Sequence, residues 1–428
     1  MRSWLLWLWP LWAAGQVPDM NVVRGHIDTL CSFQGRGYVD SADWRTAQFL
    51  VNYLRRVGLL PLANDYLQPF TVSVNTFPGP VQLCLNGQSM VAGKDFLVGP
   101  SSPTLEGKFR LQRIMLKNPD TSIQALVPIL KKLRKGKPRL LLLDRSTFTD
   151  EQFDLLREVL QTGFLPVLGV LELRSGKLTW HVSQRQEKLP WLLIAEHAVA
   201  EWPRKVELNI QAVWKANYQT QNVVAYVPGT QVPDSFIVFT AHYDHLGCLG
   251  TQVCFPGAND NASGVAMLLQ LAWWFQQHPG RYSVAFLFFG AEELGLLGSN
   301  HFVQNPPIPL DRIRFLINLD IVGTGDEGIK VVNATEFGET FRQLVLINEK
   351  LNALPSVQPR GSAENSDHYP FFQQGVHCFF IYTLGGITAY HDIYDKPETL
   401  PLTEFADLFW VLIHFTAMLS GFSVESKD

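Results

Sequence analysis

Three short segments, Ala241-His242-Tyr243-Asp244-His245-Leu246-Gly247, Gly257-Ala258-Asn259-Asp260-Asn261 and Ala291-Glu292-Glu293, bring acidic side chains and imidazoles together in close succession. A buried pair of divalent cations needs this mixture: carboxylates to offset charge, neutral imidazoles to complete coordination, and one spare base for a water proton. His242 and Asp260 are 18 positions apart, Glu293 follows 33 later, Asp320 another 27, and His391 71 beyond that. Each stands at the edge of an apolar run. Two divalent ions are balanced to neutrality by Asp260, Glu293, Asp320 and one bridging hydroxide, with both histidines as neutral ligands, and Glu292 is then left over as a free base. Singly, each residue would be an ordinary polar side chain. Their order and their strand-edge placement together point to one metal-assisted hydrolytic site.

The elements that must hold these residues are also readable. Tyr282-Ser283-Val284-Ala285-Phe286-Leu287-Phe288-Phe289 is a continuous apolar run, the pattern of a parallel strand covered on both faces, and Gly290 ends it. Consecutive side chains leaving a strand diverge, so one glutamate can face metal while its neighbour faces the attacking water. Asp260 precedes a run from Ala262 to Phe275 whose apolar positions follow a helical period, and a carboxylate is favourable at a helix start. From Gln221 onward, strands at Val223 to Val227, Phe236 to Thr240, Val284 to Phe289, Phe315 to Ile321 and Val376 to Tyr382 alternate with helices, the last near 403 to 420. That alternation predicts an α/β fold with a mixed, mostly parallel sheet flanked by helices. Ligands at the carboxyl edge of such a sheet lie where α/β folds bind substrates.

On these residues the chain resembles the M28 family of metallopeptidases, co-catalytic zinc aminopeptidases with a phosphorylase/hydrolase-like α/β fold. The resemblance covers residues 217 to 420 strongly and 20 to 75 more weakly. It implies two zinc ions per chain. His242 of the H-x-D element and Asp320 would bind one, Glu293 and His391 the other, and Asp260 would bridge them. It further implies Glu292 as general base, Asp244 as the residue orienting His242, and Tyr390 as a donor to the oxyanion. Members hold the peptide bond after the bridging aspartate in the cis form, so a cis Asp260-Asn261 bond is expected. One departure is visible: members often carry threonine after the last histidine, and this chain has Asp392. His245 and His301 read as structural residues. His368, in Ser366-Asp367-His368-Tyr369-Pro370-Phe371, resembles a segment lining the site without being a ligand.

Residues 1–15, a positive start followed by the apolar Trp4 to Trp12 and small residues, read as a secretory signal peptide, so a secreted or periplasmic protein is expected. The apolar stretch is too short to span a bilayer, and no integral membrane segment is expected in the mature chain. A net charge of −4 and a pI near 6.3 argue against a nucleic-acid partner, and peptides are the substrates that the resemblance implies. Of the five cysteines, Cys248 and Cys254 lie close together in one loop and are the pair expected to form a disulfide in an exported chain, while Cys378 reads as a buried thiol.

Residues 16–86 read as an N-terminal, largely helical part of the peptidase domain, and 216–428 as the catalytic metallopeptidase domain. Between them, 87–215 changes pattern: helices at Ile123 to Arg134 and Asp150 to Leu160, and strands at Arg139 to Leu143, Pro166 to Leu171, Leu178 to Val182 and Trp191 to Ile194. This block resembles the inserted protease-associated domain of some M28 members, a smaller α/β unit; the rival reading is an extended N-terminal subdomain. Together the sequence points to an exported di-zinc aminopeptidase acting through a metal-bridging hydroxide. Carboxypeptidase or dipeptidase action on the same centre is the nearer alternative, a one-zinc glutaminyl cyclase or a non-catalytic receptor-like ectodomain the more distant ones.

Overall fold

A computed structural model describes residues 18–116, 122–199 and 201–421; the segment 1–15, read above as a signal peptide, lies outside them. Two sheets organise the chain. The larger runs in the order Leu60–Pro61, Val213–Val227, Tyr282–Phe289, Val232–His242, Ile313–Leu319, Cys378–Leu384, Gly328–Val332, Val357–Pro359, with Leu67–Thr76 also paired to Val213–Val227. Its centre, Tyr282–Phe289 to Cys378–Leu384, is parallel. These strands are buried along almost their whole length, as their unbroken apolar sequences require. The sheet is mixed, as expected, though its flanks make it less than mostly parallel. Val213–Val227 runs antiparallel to Tyr282–Phe289, and Gly328–Val332 antiparallel to Cys378–Leu384.

Helices cover both faces. Met20–Ser32, Ala42–Val57, Gly264–Gln277 and Phe405–Leu419 share one apolar core with the sheet, including Leu50, Leu54, Leu268, Phe286, Phe379 and Phe415. Gly58, in the left-handed conformation at φ 95°, ends Ala42–Val57. Leu297–Gln304 and His368–Gln373 pack on the opposite face through Phe302 and Phe371. Among the described residues, no helix is long and apolar enough to cross a membrane.

The smaller sheet draws all its strands from residues 81–210, in the order Gln88–Met90, Val81–Leu85, Lys205–Ile210, Leu105–Ile114, Arg139–Asp144, Val167–Arg174, Trp191–Ala195, Phe96–Val98. It therefore begins at Val81, ahead of residue 87, because Val81–Leu85 pairs with Lys205–Ile210. The long ribbon formed by Leu67–Thr76 and Val213–Val227 leads out to it and back. Leu178–Val182 is not a strand. The segment is extended and unpaired, and Trp180 donates its backbone N–H to the carbonyl of His391, 2.8 Å away, instead of to a ladder partner. Cys248 and Cys254 are disulfide-bonded and face each other in the hairpin Gly247–Leu249/Val253–Phe255. Leu249 and Phe255 of that hairpin pack into the smaller unit's core, with Phe255 stacked on Trp180 at 4.8 Å.

Candidate metal centre

The site forms at the carboxyl edge of the four parallel strands, the position at which open α/β sheets present their functional groups. His242 closes Val232–His242, Glu292 and Glu293 follow Tyr282–Phe289, Asp320 follows Ile313–Leu319, and His391 lies on the loop after Cys378–Leu384. Asp260 comes from a tight turn ahead of Gly264–Gln277. All five proposed ligands converge. Asp260 Oδ1 lies 3.3 Å from His242 Nε2, which is also 3.3 Å from Asp320 Oδ1. The other oxygen of Asp260, Oδ2, lies 3.1 Å from His391 Nε2, itself 3.3 Å from Glu293 Oε2. One carboxylate thus shares its two oxygens between two histidine–carboxylate pairs.

The donor set fits divalent cations. Asp260, Glu293 and Asp320 are buried or nearly so, and among the described residues their ion-pair partners are histidines, with no lysine or arginine. Buried carboxylates need compensating charge, and this cluster brings too little of its own. The protonation of the side chains shows the same imbalance. Burial opposes charge on His391, yet Glu293 and Asp260 outweigh it and lift its pKa to about 11. Burial likewise opposes charge on His242, while Asp320 and Glu292 drive its pKa well above the usual imidazole range.

The adjacent glutamates diverge. For Glu292, burial dominates and, with Glu293, Asp367 and Asp320 adding to it against His242, holds the carboxyl well above its ordinary range. For Glu293, burial and Asp260 push up, but His391 and His245 pull it down to about 2. Neighbouring carboxyls driven apart in this way are suited to different tasks, one taking up a proton and the other staying anionic.

Strained backbone surrounds the donors. Ala291, Ile321 and His391 all adopt positive φ, at 60°, 60° and 50°, and a β-branched residue such as Ile321 is rarely found there. The Asp260-Asn261 bond is cis, as the family resemblance implied. Asn261 bridges the turn to the neighbouring strand end, donating to Leu319 O at 2.9 Å and accepting from the amides of Gly264 and Ile321.

Asp244 does more than orient His242. The nearest acceptor to His242 Nδ1 is the carbonyl of Asp244, at 3.1 Å, whereas the carboxylate stands 3.8 Å off. That carboxylate accepts the amides of Glu292 and Glu293, and the hydroxyl of Tyr38. Tyr390 stacks on His391 with ring centroids 4.0 Å apart and remains partly exposed. His245, read as structural in the sequence, lies against two of the proposed ligands. Its Nδ1 lies 2.8 Å from Glu293 Oε1 and 3.8 Å from Asp260 Oδ1, so either His245 or His391 completes a three-donor set with Asp260 and Glu293. His391 Nε2 lies 3.1 Å from Asp260 Oδ2 and 3.3 Å from Glu293 Oε2, so both imidazoles face the same two carboxylates. His301 stacks on Phe70, away from the centre. His368 is buried beside Phe380, and burial lowers its pKa to about 3, consistent with a neutral lining residue rather than a ligand.

Several supporting residues carry no signal in the sequence. Arg36 is fully buried and donates to the carbonyls of Tyr243, Pro256, Gly257 and Asp260 at 2.7–3.1 Å, clamping both loops that bear His242 and Asp260. Asp395 accepts the amides of Asn259 and Asp260. Ser366 donates to Asp320 Oδ2 at 2.8 Å and accepts from Asn318, which leaves Oδ1 for the His242 side. Gly257, at φ 62°, turns the Asp260 loop where a Cβ would fall 2.2 Å from the carbonyl of Asp260 and 2.4 Å from the His245 ring.

Residues 222–416 match the profile of peptidase family M28. The chain is similar to aminopeptidase YwaD of Bacillus subtilis, 33% identical over 166 residues that make up 37% of this chain and 35% of that protein. It is also similar to a probable zinc metalloprotease of Pyrenophora teres f. teres, 35% identical over 113 residues, 26% of this chain and 23% of the relative. The matched stretch thus spans about a third or less of these relatives. Likeness of fold extends much further. The aminopeptidase from Aneurinibacillus sp. strain AM-1 superposes with a TM-score of 0.64 at 18% identity, over 96% of this chain and 97% of that one. The zinc aminopeptidase BSAP from Bacillus subtilis does so at 0.67 and 20% identity, over 94% and 96%. Residues 222–416, which hold all five converging donors, are thus the part of the chain that resembles peptidase family M28.

Proposed function

We propose that this chain is an exported di-zinc aminopeptidase that removes N-terminal residues from peptides. The observation that carries the reading is the sharing of Asp260 between the His242–Asp320 and His391–Glu293 pairs. The names borne by its relatives, aminopeptidase and zinc metalloprotease, support it. His242, Asp260 and Asp320 would hold one zinc, and Asp260, Glu293 and His391 the other. When bound, such a pair supplies Lewis acidity, polarising the scissile carbonyl and acidifying the attacking water.

The chain's own residues divide the remaining work. Glu292 takes the proton of the attacking water and later delivers it to the leaving amine, a task suited to a carboxyl kept out of the fully ionised range by burial. Asp244 fixes the backbone of Glu292, so its carboxylate stays aimed. Tyr390 donates to the carbonyl oxygen as negative charge develops there. Residues 87–215, with the short start at Val81, form a protease-associated-like domain beside the site, supported by their own sheet and apolar core.

Release from a free-amine peptide, its N-acetylated form and its C-amidated form tests the specificity. An aminopeptidase cleaves the first and third and spares the second. Cleavage of the acetylated peptide with loss on the amidated one would replace this reading by carboxypeptidase action. One zinc per chain with cyclisation of N-terminal glutamine would replace it by a glutaminyl cyclase.

A further inference from the structure

The extended segment 177–184 of the smaller unit reaches across to the larger one and touches two of its loops. Lys177 Nζ donates to the carbonyl of Thr388 at 2.7 Å and pairs with Asp392 Oδ2 at 2.5 Å. Trp180 N–H donates to His391 O at 2.8 Å. His181 Nδ1 lies 3.1 Å from His391 Nδ1, the two rings edge to face at 4.8 Å. Gln184 Nε2 donates to the carbonyl of Leu294, the residue after Glu293, at 2.6 Å. The contacted loops carry Glu293 and His391. The other pair, His242 and Asp320, is braced from within the larger sheet, by the carbonyl of Asp244 and by Ser366.

We propose that His181 is a positioning residue for the Asp260–Glu293–His391 half of the centre, so that the smaller unit sets the affinity of one metal position and leaves the other alone. The inference rests on the two-metal reading above. Its chemistry follows from the two nitrogens of His391. Nε2 faces Asp260 and Glu293. For Nε2 to offer its lone pair to a cation, the proton must sit on Nδ1, and the group facing Nδ1 must accept it. His181 Nδ1 is that acceptor, which fixes the tautomer and the ring orientation of His391 together. Partners of this kind behind a ligating histidine change metal affinity by about 10–100-fold. Asp392 belongs to the same device: its ion pair with Lys177 ties the histidine loop to the segment that carries His181.

Two variants separate the hydrogen bond from packing. His181→Phe keeps a ring but removes the acceptor, and His181→Asn places an amide oxygen where Nδ1 was. Full-length protein is stripped of metal, checked by far-UV circular dichroism for an unchanged fold, and titrated calorimetrically with zinc. The wild type takes up two equivalents. In His181→Phe one equivalent weakens by about 10–100-fold and the other stays within a few-fold, whereas His181→Asn restores most of the loss. In an Asp320→Asn background, the equivalent that remains tight is the one that His181→Phe weakens. If both affinities in His181→Phe match the wild type, or both weaken together, or His181→Asn behaves like His181→Phe, the inference is overturned while the two-metal reading stands. Uptake of a single equivalent by the wild type overturns both.

Discussion

Asp244 accepts the backbone amide of Glu292 at 3.1 Å, so a carboxylate just past one strand end fixes the glutamate pair leaving the next. The carboxylate holds the amide of Glu293 as well, and the chain is thereby presented with two acidic side chains in register but facing different neighbours. Glu293 meets His245 and His391, while among the described residues no histidine lies within ion-pair distance of Glu292. Identical chemistry is differentiated by geometry alone.

Glu292→Gln and Glu293→Gln should therefore fail differently. Glu292→Gln keeps size and most hydrogen bonding but removes the proton acceptor, so both zinc equivalents should stay while turnover falls about 10²–10⁴-fold. Glu293→Gln removes an anionic donor, so one equivalent should weaken and excess zinc should partly restore activity. Metal content and kcat measured on both variants check this. Loss of metal in Glu292→Gln with full retention in Glu293→Gln would reverse the two roles.

Metal removal should cost stability as well as activity. Without cations, Asp260, Glu293 and Asp320 are packed together with, among the described residues, only histidines to offset them. Ligand that binds only the folded state adds about 2.7 kcal/mol at a hundredfold excess over its Kd. Thermal unfolding should accordingly shift down on chelation and return with zinc in a concentration-dependent way. A Tm indifferent to both would argue against a buried centre.

Arg36 offers a test of the scaffold. Its guanidinium serves four carbonyls in the loops carrying His242 and Asp260, and hydrogen bonds to charged groups are each worth about 1.5–3 kcal/mol. Arg36→Met keeps the aliphatic stem and strands the carbonyls, so urea unfolding should show a loss of about 3–6 kcal/mol if only two of the bonds count fully. Zinc affinity should fall in the same variant. A loss below about 1 kcal/mol would mean that water replaces the guanidinium without penalty.

Of the five proposed ligands, His242, Glu293 and Asp320 were the most legible, because each sits at or just past the end of an apolar run, and the run itself is the strand that aims the residue. Glu293 and Asp320 each follow a buried strand directly or within a short turn. The closeness of His245 to Glu293 was not legible because the chain has left the strand by then, and no periodicity tells where a side chain in an irregular turn will face. Leu178 to Val182 has the alternation of a strand, yet its backbone bonds go to the His391 loop, a partner more than 200 residues away that local pattern does not encode. Arg36, Asp395, Ser366 and His181 share that property: they act on backbone or side chains brought near only by the fold. Which strands of the mixed sheet run antiparallel was not legible for a related reason, since a buried apolar strand reads alike in either direction.

His26 provides a pH dependence away from the metal centre. It is buried between the edges of Phe49 and Tyr53, and burial, aided by the positive charge of Arg56, lowers its pKa to about 4 from an ordinary value of 6.5. Between these values the unfolded chain takes up a proton that the folded chain refuses. Stability linked to His26 is therefore complete above pH 6.5 and is lost as pH falls toward 4. The magnitude expected is about 2 kcal/mol over that window. His26→Leu removes the titrating group and keeps apolar volume between the two rings. Urea unfolding of chelated wild type and variant at pH 7.5 and 4.5 cancels contributions from the metal ligands, which are common to both. The wild type should lose about 2 kcal/mol more than the variant on going to the lower pH. If the difference between the two proteins is the same at both pH values, His26 is not a source of the acid sensitivity.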